Sequence, residues 1–204
     1  SIYEVIMGRM KLTDVMEETE FKNLSIAGSD VRLANAELEL VEVEKREYRL
    51  KTAVQSVQQD FDFIFIDCPP SLGLLTINAL GAADSVLIPI QCEYYALEGV
   101  ASLMNTISRV KKTINPHLEI EGVLLTMLDG RTNLGLQVVD EVKKHFKKQV
   151  YATVIPRSVR LGEAPSHGEP IHVYDKRSAG CVAYVNLAKE VLKRNNIKVK
   201  EFKL

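Results

Sequence analysis

Residues 60–82 read DFDFIFIDCPPSLGLLTINALGA and combine an apolar run, one acidic residue, two prolines and a second apolar segment. The run at residues 61–66 is typical of a strand that is covered on both faces in a parallel sheet. The prolines end that strand, because proline has no amide hydrogen for the ladder and restricts the residue before it. Ser71 is then a candidate N-cap for a helix that fills the rest of the stretch.

Asp67 stands at the carboxyl end of the predicted strand, on the rim where open α/β sheets bind ligands. A hydrophobic strand that ends in Asp is the Walker B pattern, whose carboxylate holds Mg²⁺, usually through water, beside nucleotide phosphates. The alternative is a turn aspartate that caps nearby amides, and the run alone favours this alternative until a partner motif is found. Cys68 has no base to activate it, so we interpret it as a small buried side chain.

Length and composition indicate a globular chain of ordinary domain size. The 204 residues are enough to bury a core, and 46% hydrophobic with 26% charged residues is usual for a soluble protein. A net charge of −1 excludes a polycation that coats nucleic acid, so any DNA contact requires a local patch. Three widely spaced cysteines predict neither a zinc site nor a disulfide scaffold, and with no signal peptide or long apolar stretch the sequence predicts a cytoplasmic protein.

Hydrophobic periodicity predicts strands that alternate with helices. Besides residues 61–66, the predicted strands are residues 23–27, 85–90, 118–127 and 150–155. The predicted helices are residues 2–9, 12–18, 31–57 with a break near Glu44, 133–147 and 178–194, with one more long helix after Tyr95. This alternation predicts a single α/β domain over residues 1–204, with a mostly parallel sheet flanked by helices.

Two loops after predicted strands carry exposed arginines. Residues 128–133 (LDGRTN) present Arg131, and residues 156–168 present Arg157 and Arg160. Guanidinium groups match the phosphate oxygens of a nucleotide or of DNA, whereas an exposed arginine is more often merely solvated. The lysine-rich residues 143–148 are more often a solvated face, and they extend a basic patch only if their helix lies beside the first loop.

Four long segments then occur in order: IDCPPSLGLLTINAL, IPIQCEYYALEG, EGVLLTMLDGRTNLG and VIPRSVRLGEAPSHGEPI. Together they resemble the ParA/Soj family of chromosome- and plasmid-partitioning ATPases, the deviant Walker A proteins of the MinD/ParA superfamily, over residues 2–194. The resemblance implies a P-loop NTPase-like fold, ATP and magnesium as cofactors, and a homodimer in the ATP state. It further implies non-specific DNA binding, hydrolysis stimulated by a ParB-like centromere-binding protein, and a nucleoid-associated cytoplasmic location.

The resemblance assigns roles to five residues. Asp67 matches the Walker B aspartate that organises magnesium for hydrolysis, which makes it the candidate catalytic and metal residue. Pro156 and Arg157 match the loop beside the nucleotide base, and Arg131 and Arg160 match arginines that bind DNA. Two other positions, Glu169 and Ala179, stand where the family usually has a basic residue, which predicts a weakened local positive field.

The family's phosphate loop, of the form KGGVGKT, is not in this sequence, where no Gly is followed by Lys. Its aspartate-rich DxDPQ segment is missing too. We therefore expect a ParA-type domain that lacks its first strand and phosphate loop, binds no nucleotide alone and hydrolyses no ATP. One alternative is a DNA-binding or dimerising regulatory module without ATPase activity. Another is a MinD-like membrane ATPase, which residues 193–204 do not favour because their apolar positions form no wide helical stripe.

Overall fold

The computed structural model describes residues 1–198, except for the side chains of residues 96–98, and contains two compact units. Unit 1 comprises Ser1–Val86 and Leu103–Glu119, and unit 2 comprises Leu87–Ser102 and the described residues from Ile120 onward. The single domain expected over residues 1–204 stays a prediction. Of the tail at residues 193–204, the last six residues lie outside the described part. Within that part, no helix combines the length and apolar character needed to cross a membrane.

Unit 1 begins with short helices and a small hairpin. In chain order its elements are α1 (Ile2–Ile6), β1 (Met16–Glu18), β2 (Ser25–Ala27), α2 (Leu33–Glu39), α3 (Arg49–Gln55) and α4 (Leu74–Ala82). β1 pairs antiparallel with β2, from Met16 opposite Ala27 to Glu18 opposite Ser25. The helix predicted at residues 12–18 is therefore wrong. Only Leu12–Asp14 form a 3₁₀ turn, and Met16–Glu18 pair with β2 as a strand instead. The break predicted near Glu44 is confirmed, since Lys45 has a φ of 53° between α2 and α3.

A buried amide side chain holds the helices of unit 1 in place. Asn78 of α4 has no exposed surface. Its Oδ1 accepts the Leu50 N–H at 3.1 Å, and its Nδ2 donates to the Arg46 carbonyl at 2.8 Å and the Leu74 carbonyl at 3.0 Å. These partners join the start of α3 to α4 without leaving a buried polar group unpaired.

Residues 61–66 do not form the predicted strand. No described residue pairs with them in a ladder, and Phe65 is 78% exposed. The rings of Phe63 and Phe65 in this segment stack with their centroids 5.9 Å apart. The prediction is wrong because a strand requires a neighbour with free backbone donors and acceptors, and an apolar run does not supply one.

The N-cap predicted at Ser71 is also wrong. α4 begins at Leu74 after Gly73, which has an extended backbone. The Glu37 carboxylate of α2 accepts the Leu75 N–H at 3.1 Å and so satisfies a free donor of the first turn. A Cβ at Gly73 would lie 2.2 Å from Glu37 Oε1, so the glycine makes room for this cap.

The parallel sheet follows in chain order. Its elements are β3 (Ser85–Gln91), α5 (Ala96–Thr113), β4 (Glu119–Leu128), α6 (Asn133–Phe146), β5 (Val150–Pro156), α7 (Val159–Glu163), α8 (Ile171–Tyr174) and α9 (Ala179–Arg194). The strand order is β3-β4-β5, and β4 runs parallel to β5, with Val123 opposite Val150 and Leu128 opposite Pro156. Long helices connect the strands, as parallel pairing requires. The predicted fold class, an α/β chain with a parallel sheet flanked by helices, is confirmed.

The core of unit 2 lies between β4, β5 and α9. Leu124, Tyr151, Ile155 and Ala183 form a buried cluster against which Leu187 and Val191 pack. Beside this cluster the pairing of β4 and β5 changes register. Between the pairs Val123–Val150 and Leu125–Val154, β4 advances by two residues and β5 by four. Such a bulge leaves strand N–H groups without ladder partners, and here α9 supplies them, because the Glu190 carboxylate accepts from Ala152 N–H at 2.8 Å and Thr153 N–H at 2.9 Å.

Candidate functional site

Asp67 lies in unit 1, on the exposed segment between residues 61–66 and α4. Its neighbour Cys68 is exposed rather than buried, which corrects the interpretation of that side chain, and its Sγ lies 3.7 Å from the Ile66 carbonyl oxygen. Partial desolvation and the Asp67 carboxylate raise the pKa of the Cys68 thiol. A thiol with a raised pKa stays protonated at neutral pH, so Cys68 is unsuited to act as a nucleophile.

The described residues do not by themselves fit a magnesium nucleotide. Among the side chains that the structure describes, those of residues 1–95 and 99–198, no three of His, Cys, Asp or Glu lie close enough together to hold a metal ion. Asp67 thus offers one carboxylate to a cation that prefers six oxygen ligands. The sequence also contains no Gly-Lys pair for a phosphate cradle. Asp67 is a candidate metal residue only, and no hydrolytic step follows from these residues alone.

Arg131 follows the carboxyl end of β4 and is held by Asp129. Its Nε donates to Asp129 Oδ1 at 2.9 Å and its Nη2 donates to Oδ2 at 2.7 Å, which is a two-pronged ion pair. The Arg131 backbone N–H also donates to Oδ1 at 3.1 Å. The Arg131 side chain is 89% exposed. The guanidinium and this backbone donor hold the pKa of Asp129 well below its usual range.

The Asp129 turn also starts the next helix. Thr132 is the N-cap of α6, where its hydroxyl oxygen accepts the Gly135 N–H at 3.3 Å. The Thr132 backbone N–H in turn donates to the Asp129 carbonyl at 3.1 Å. Asn133 is the first helical residue. The loop is therefore fixed at both ends, and Arg131 projects from it.

Arg160 lies on α7 and faces two carboxylates. Its Nη1 donates to Glu163 Oε2 at 2.9 Å, one helical turn later, and its Nε lies 3.4 Å from Asp175 Oδ2. The Tyr174 hydroxyl also donates to Glu163 Oε2 at 3.1 Å. The Glu163 hydrogen bond is the main cause of a raised pKa of the Arg160 guanidinium. Arg160 is thus cationic at any physiological pH and matched by two negative charges.

Pro156 is the last residue of β5, and Arg157 follows it beside the Arg131 loop. The Arg157 N–H donates to the Leu128 carbonyl at 3.0 Å, and its guanidinium forms an ion pair with Glu93. The Arg157 charge also contributes to lowering the pKa of Asp129. Pro156 lines an open cavity of about 750 Å³. The other lining residues are Leu128, Gly130, Ala152, Thr153, Val154, Ala179, Val182, Ala183 and Asn186.

Four of the five candidate residues therefore lie in unit 2, where Arg131, Pro156 and Arg157 lie at adjacent strand ends and Arg160 lies on α7. What the sequence analysis missed is the set of carboxylates that pair with the arginines. Those of Asp129 and Glu163 are two and three residues from their partners, so the local spacing contained a signal. Glu93 is 64 residues from Arg157, and no local pattern indicates that pair.

Comparisons with known proteins point to one family. A family described as "AAA domain" matches residues 1–120. The chain is 58% identical over 190 residues to the sporulation initiation inhibitor protein Soj of Bacillus subtilis, which covers 93% of this chain and 75% of that protein. It is 50% identical over 198 residues to the chromosome partitioning protein ParA of Myxococcus xanthus, covering 97% and 70%.

Solved structures agree in fold. Cobyrinic acid a,c-diamide synthase of Mycobacterium smegmatis, crystallised with an ATP analogue and magnesium, matches with a TM-score of 0.80 at 34% identity, over 100% of this chain and 76% of that one. The cell division ATPase MinD of Pyrococcus furiosus matches with a TM-score of 0.74 at 23% identity, over 95% and 75%, and this likeness concerns the fold alone. On the sequence identities above, the chain belongs to the ParA/Soj family of chromosome partitioning ATPases.

Proposed function

We propose that this chain serves chromosome partitioning by binding DNA without sequence preference through Arg131 and Arg160, on the bacterial nucleoid in the cytoplasm. The observation that carries the proposal is its 58% and 50% identity, over more than nine-tenths of its length, to proteins named Soj and ParA. The chain's net charge of −1 requires such binding to be local.

The geometry of unit 2 supports a phosphate-binding role for these arginines. Asp129 occupies two of the five N–H donors of the Arg131 guanidinium, which leaves donors on the exposed side for a phosphate oxygen. A planar guanidinium held in one orientation suits two-pronged contact with phosphate. Arg160 is 56% exposed, and only its Nη1 donates to Glu163, at 2.9 Å.

Salt-dependent binding of random-sequence duplex DNA tests the proposal. Arg131→Ala/Arg160→Ala removes two phosphate contacts, so we expect weaker binding and a slope of log K against log salt that is shallower by about 2. The matched control is Lys11→Ala/Lys22→Ala, which removes two exposed cations from unit 1. Absence of binding by the unsubstituted chain at low salt contradicts the proposal, as does an equal loss in the control.

For the nucleotide cycle, we propose that ATP and magnesium act with Asp67 as the Walker B carboxylate and with Pro156 and Arg157 beside the base. The ATP analogue and magnesium in the 34% identical Mycobacterium smegmatis structure support this assignment. A homodimer and a ParB-like stimulating partner complete the proposal, on the strength of the ParA and Soj relatives. A polypeptide of these 204 residues alone, which has no Gly-Lys phosphate loop, is proposed to turn over no ATP.

A second candidate is a DNA-binding module that acts without nucleotide, because the exposed Arg131 and Arg160 are held by carboxylates of their own unit. The two candidates differ in whether nucleotide changes DNA affinity. The DNA titration repeated with and without magnesium ATP separates them: an ATP-dependent gain supports the ATPase, and equal affinity supports the module.

A further inference from the structure

We infer that Asp129 and Glu163 set the DNA affinity of this chain, by holding Arg131 and Arg160 in place while neutralising their charge. The inference rests on the proposed DNA-binding role of the two arginines and adds how that surface is regulated. Both arginines are paired before any ligand arrives, Arg131 with Asp129 and Arg160 with Glu163. A DNA phosphate must therefore share each guanidinium with a carboxylate or displace it.

At Arg131, the orienting effect of Asp129 can be separated from its neutralising charge by substitution. Asp129 Oδ1 accepts both the Arg131 Nε–H at 2.9 Å and the Arg131 backbone N–H at 3.1 Å, so it fixes the turn as well as the side chain. An asparagine there keeps an oxygen for the backbone donor but loses the negative charge. Asp129→Asn thus removes the neutralising charge while preserving the turn, whereas Asp129→Ala removes both.

The positive charge of Arg160 is more strongly neutralised than that of Arg131. Its guanidinium meets Glu163 Oε2 at 2.9 Å and Asp175 Oδ2 at 3.4 Å, so two negative charges surround one positive charge. The Arg160 side chain is 56% exposed, whereas that of Arg131 is 89% exposed. Arg131 is therefore the stronger phosphate ligand of the two, and Arg131→Ala weakens DNA binding more than Arg160→Ala does.

The size of the effect follows from Coulomb's law. A phosphate bound to the outer edge of the guanidinium lies roughly 6 Å from the carboxylate behind it, and in water that repulsion amounts to about a threefold loss of affinity. Exposed ion pairs are themselves worth little, so a phosphate competes with the carboxylate without a large penalty. Neutralising one carboxylate should tighten DNA binding about threefold, and neutralising both about tenfold, if the sites are independent.

The experiment measures fluorescence anisotropy of a labelled random-sequence duplex at low and at physiological salt. The variants are Asp129→Asn, Glu163→Gln and the double variant, with Asp140→Asn as the control. Asp140 is an exposed carboxylate on α6 in the same unit, and its replacement changes the net charge equally. We expect tighter binding for the first three, a gain that shrinks as salt rises, and no comparable gain for the control.

A second readout needs no DNA. Titration of the Asp129 carboxyl carbon by NMR should show a pKa below the usual range, which returns toward about 3.9 in Arg131→Ala. If the chain binds DNA but Asp129→Asn gains no more than Asp140→Asn, the inference is overturned and the proposed function stands. If neither the chain nor any variant binds DNA at low salt, both fail, and the titration still reports whether the ion pair exists.

Discussion

Replacing Glu190 by glutamine tests how α9 holds β5 in unit 2. The Glu190 carboxylate accepts the consecutive N–H groups of Ala152 and Thr153 at 2.8 and 2.9 Å, at the point where β5 leaves the register of β4. Arg194 Nη2 donates to the same carboxylate at 3.1 Å, and the Glu190 side chain is only 19% exposed. One side chain thus satisfies two backbone donors that the sheet leaves unpaired.

The expected loss follows from counting these donors. A glutamine has one acceptor oxygen, so one strand N–H keeps its partner while the other, or Arg194, meets an NH₂ group. Leaving one such donor unpaired costs about 1–3 kcal/mol of unfolding free energy. Glu190→Ala removes both acceptors and should cost about 2–4 kcal/mol, the lower end applying if water reaches the exposed Ala152.

Arg194 confines the stability loss of Glu190→Gln to the bulge in β5. Besides Glu190, it donates to the carbonyl of Val150 at 3.0 Å and to those of Glu121 and Gln149 at 3.3 Å. Its guanidinium also lies over the Tyr151 ring, with 3.8 Å from Cζ to the ring centroid. Because these contacts remain in Glu190→Gln, the strand stays anchored and only the bulge loosens.

The assay is urea unfolding followed by circular dichroism, combined with amide hydrogen exchange. We expect faster exchange at Ala152 and Thr153 in Glu190→Gln, together with the lower unfolding free energy. Glu169→Gln, at an exposed glutamate of the same unit, is the matched control and should change stability by less than about 0.5 kcal/mol. A Glu190→Gln variant as stable as this control would refute the reasoning.

The pH dependence supplies an independent check. Partial burial opposes ionisation of Glu190, but the strand N–H groups and Arg194 outweigh it and lower its pKa. A carboxyl whose pKa is lowered by folding stabilises the fold above its unfolded pKa of about 4.3, and that contribution is lost as the pH falls through the folded value. The stability gap between the unsubstituted chain and Glu190→Gln should therefore be largest near neutral pH and shrink as the pH falls below about 4.3 and through the lower folded pKa.

Three further predictions concern other parts of the chain. Asn78→Ala should cost about 2–4 kcal/mol in urea unfolding, because it leaves the Leu50 N–H and the Arg46 carbonyl without their partner, whereas the exposed Asn35→Ala should be near neutral. Gly122→Ala should cost about 1–3 kcal/mol, because its Cβ would lie 2.5 Å from the Tyr151 ring, whereas Gly99→Ala in α5, with no atom within 4 Å of its Cβ, should be neutral or stabilising. The 204-residue chain should show no magnesium-dependent ATP turnover in a phosphate-release assay, and robust turnover that disappears in Asp67→Ala would contradict this.

Local sequence patterns predicted correctly the strands of the three-stranded sheet, which pair in chain order, and the long helices that connect or cover them. β3, β4, β5, α6 and α9 lie within one or two residues of their predicted bounds, because each strand is apolar and each helix has a clear period. Residues 61–66 have the same apolar character, yet Phe65 is 78% exposed. A strand depends on a neighbour that its own residues do not encode, so equal patterns lead to different outcomes.

The site shows the same division between local and distant signals. Loop position and residue type were enough to place Arg131, Pro156 and Arg157 at adjacent strand ends. They were not enough to predict that Glu93, 64 residues away, pairs with Arg157. Charge counted along the sequence therefore overstates the free positive charge at this rim, since three of its arginines carry carboxylate partners.

Paired arginines also bear on how the proposed dimer would work. On the proposed DNA-binding role, we expect a chain with a net charge of −1 and two carboxylate-paired arginines to bind DNA weakly by itself, because counterion release scales with the number of phosphates contacted. Two copies joined in the proposed dimer double those contacts, and the second set binds at a high effective concentration. On this proposal we expect weak contacts in each chain to make DNA binding depend steeply on dimerisation, whereas unpaired arginines would let single chains bind and would reduce that dependence.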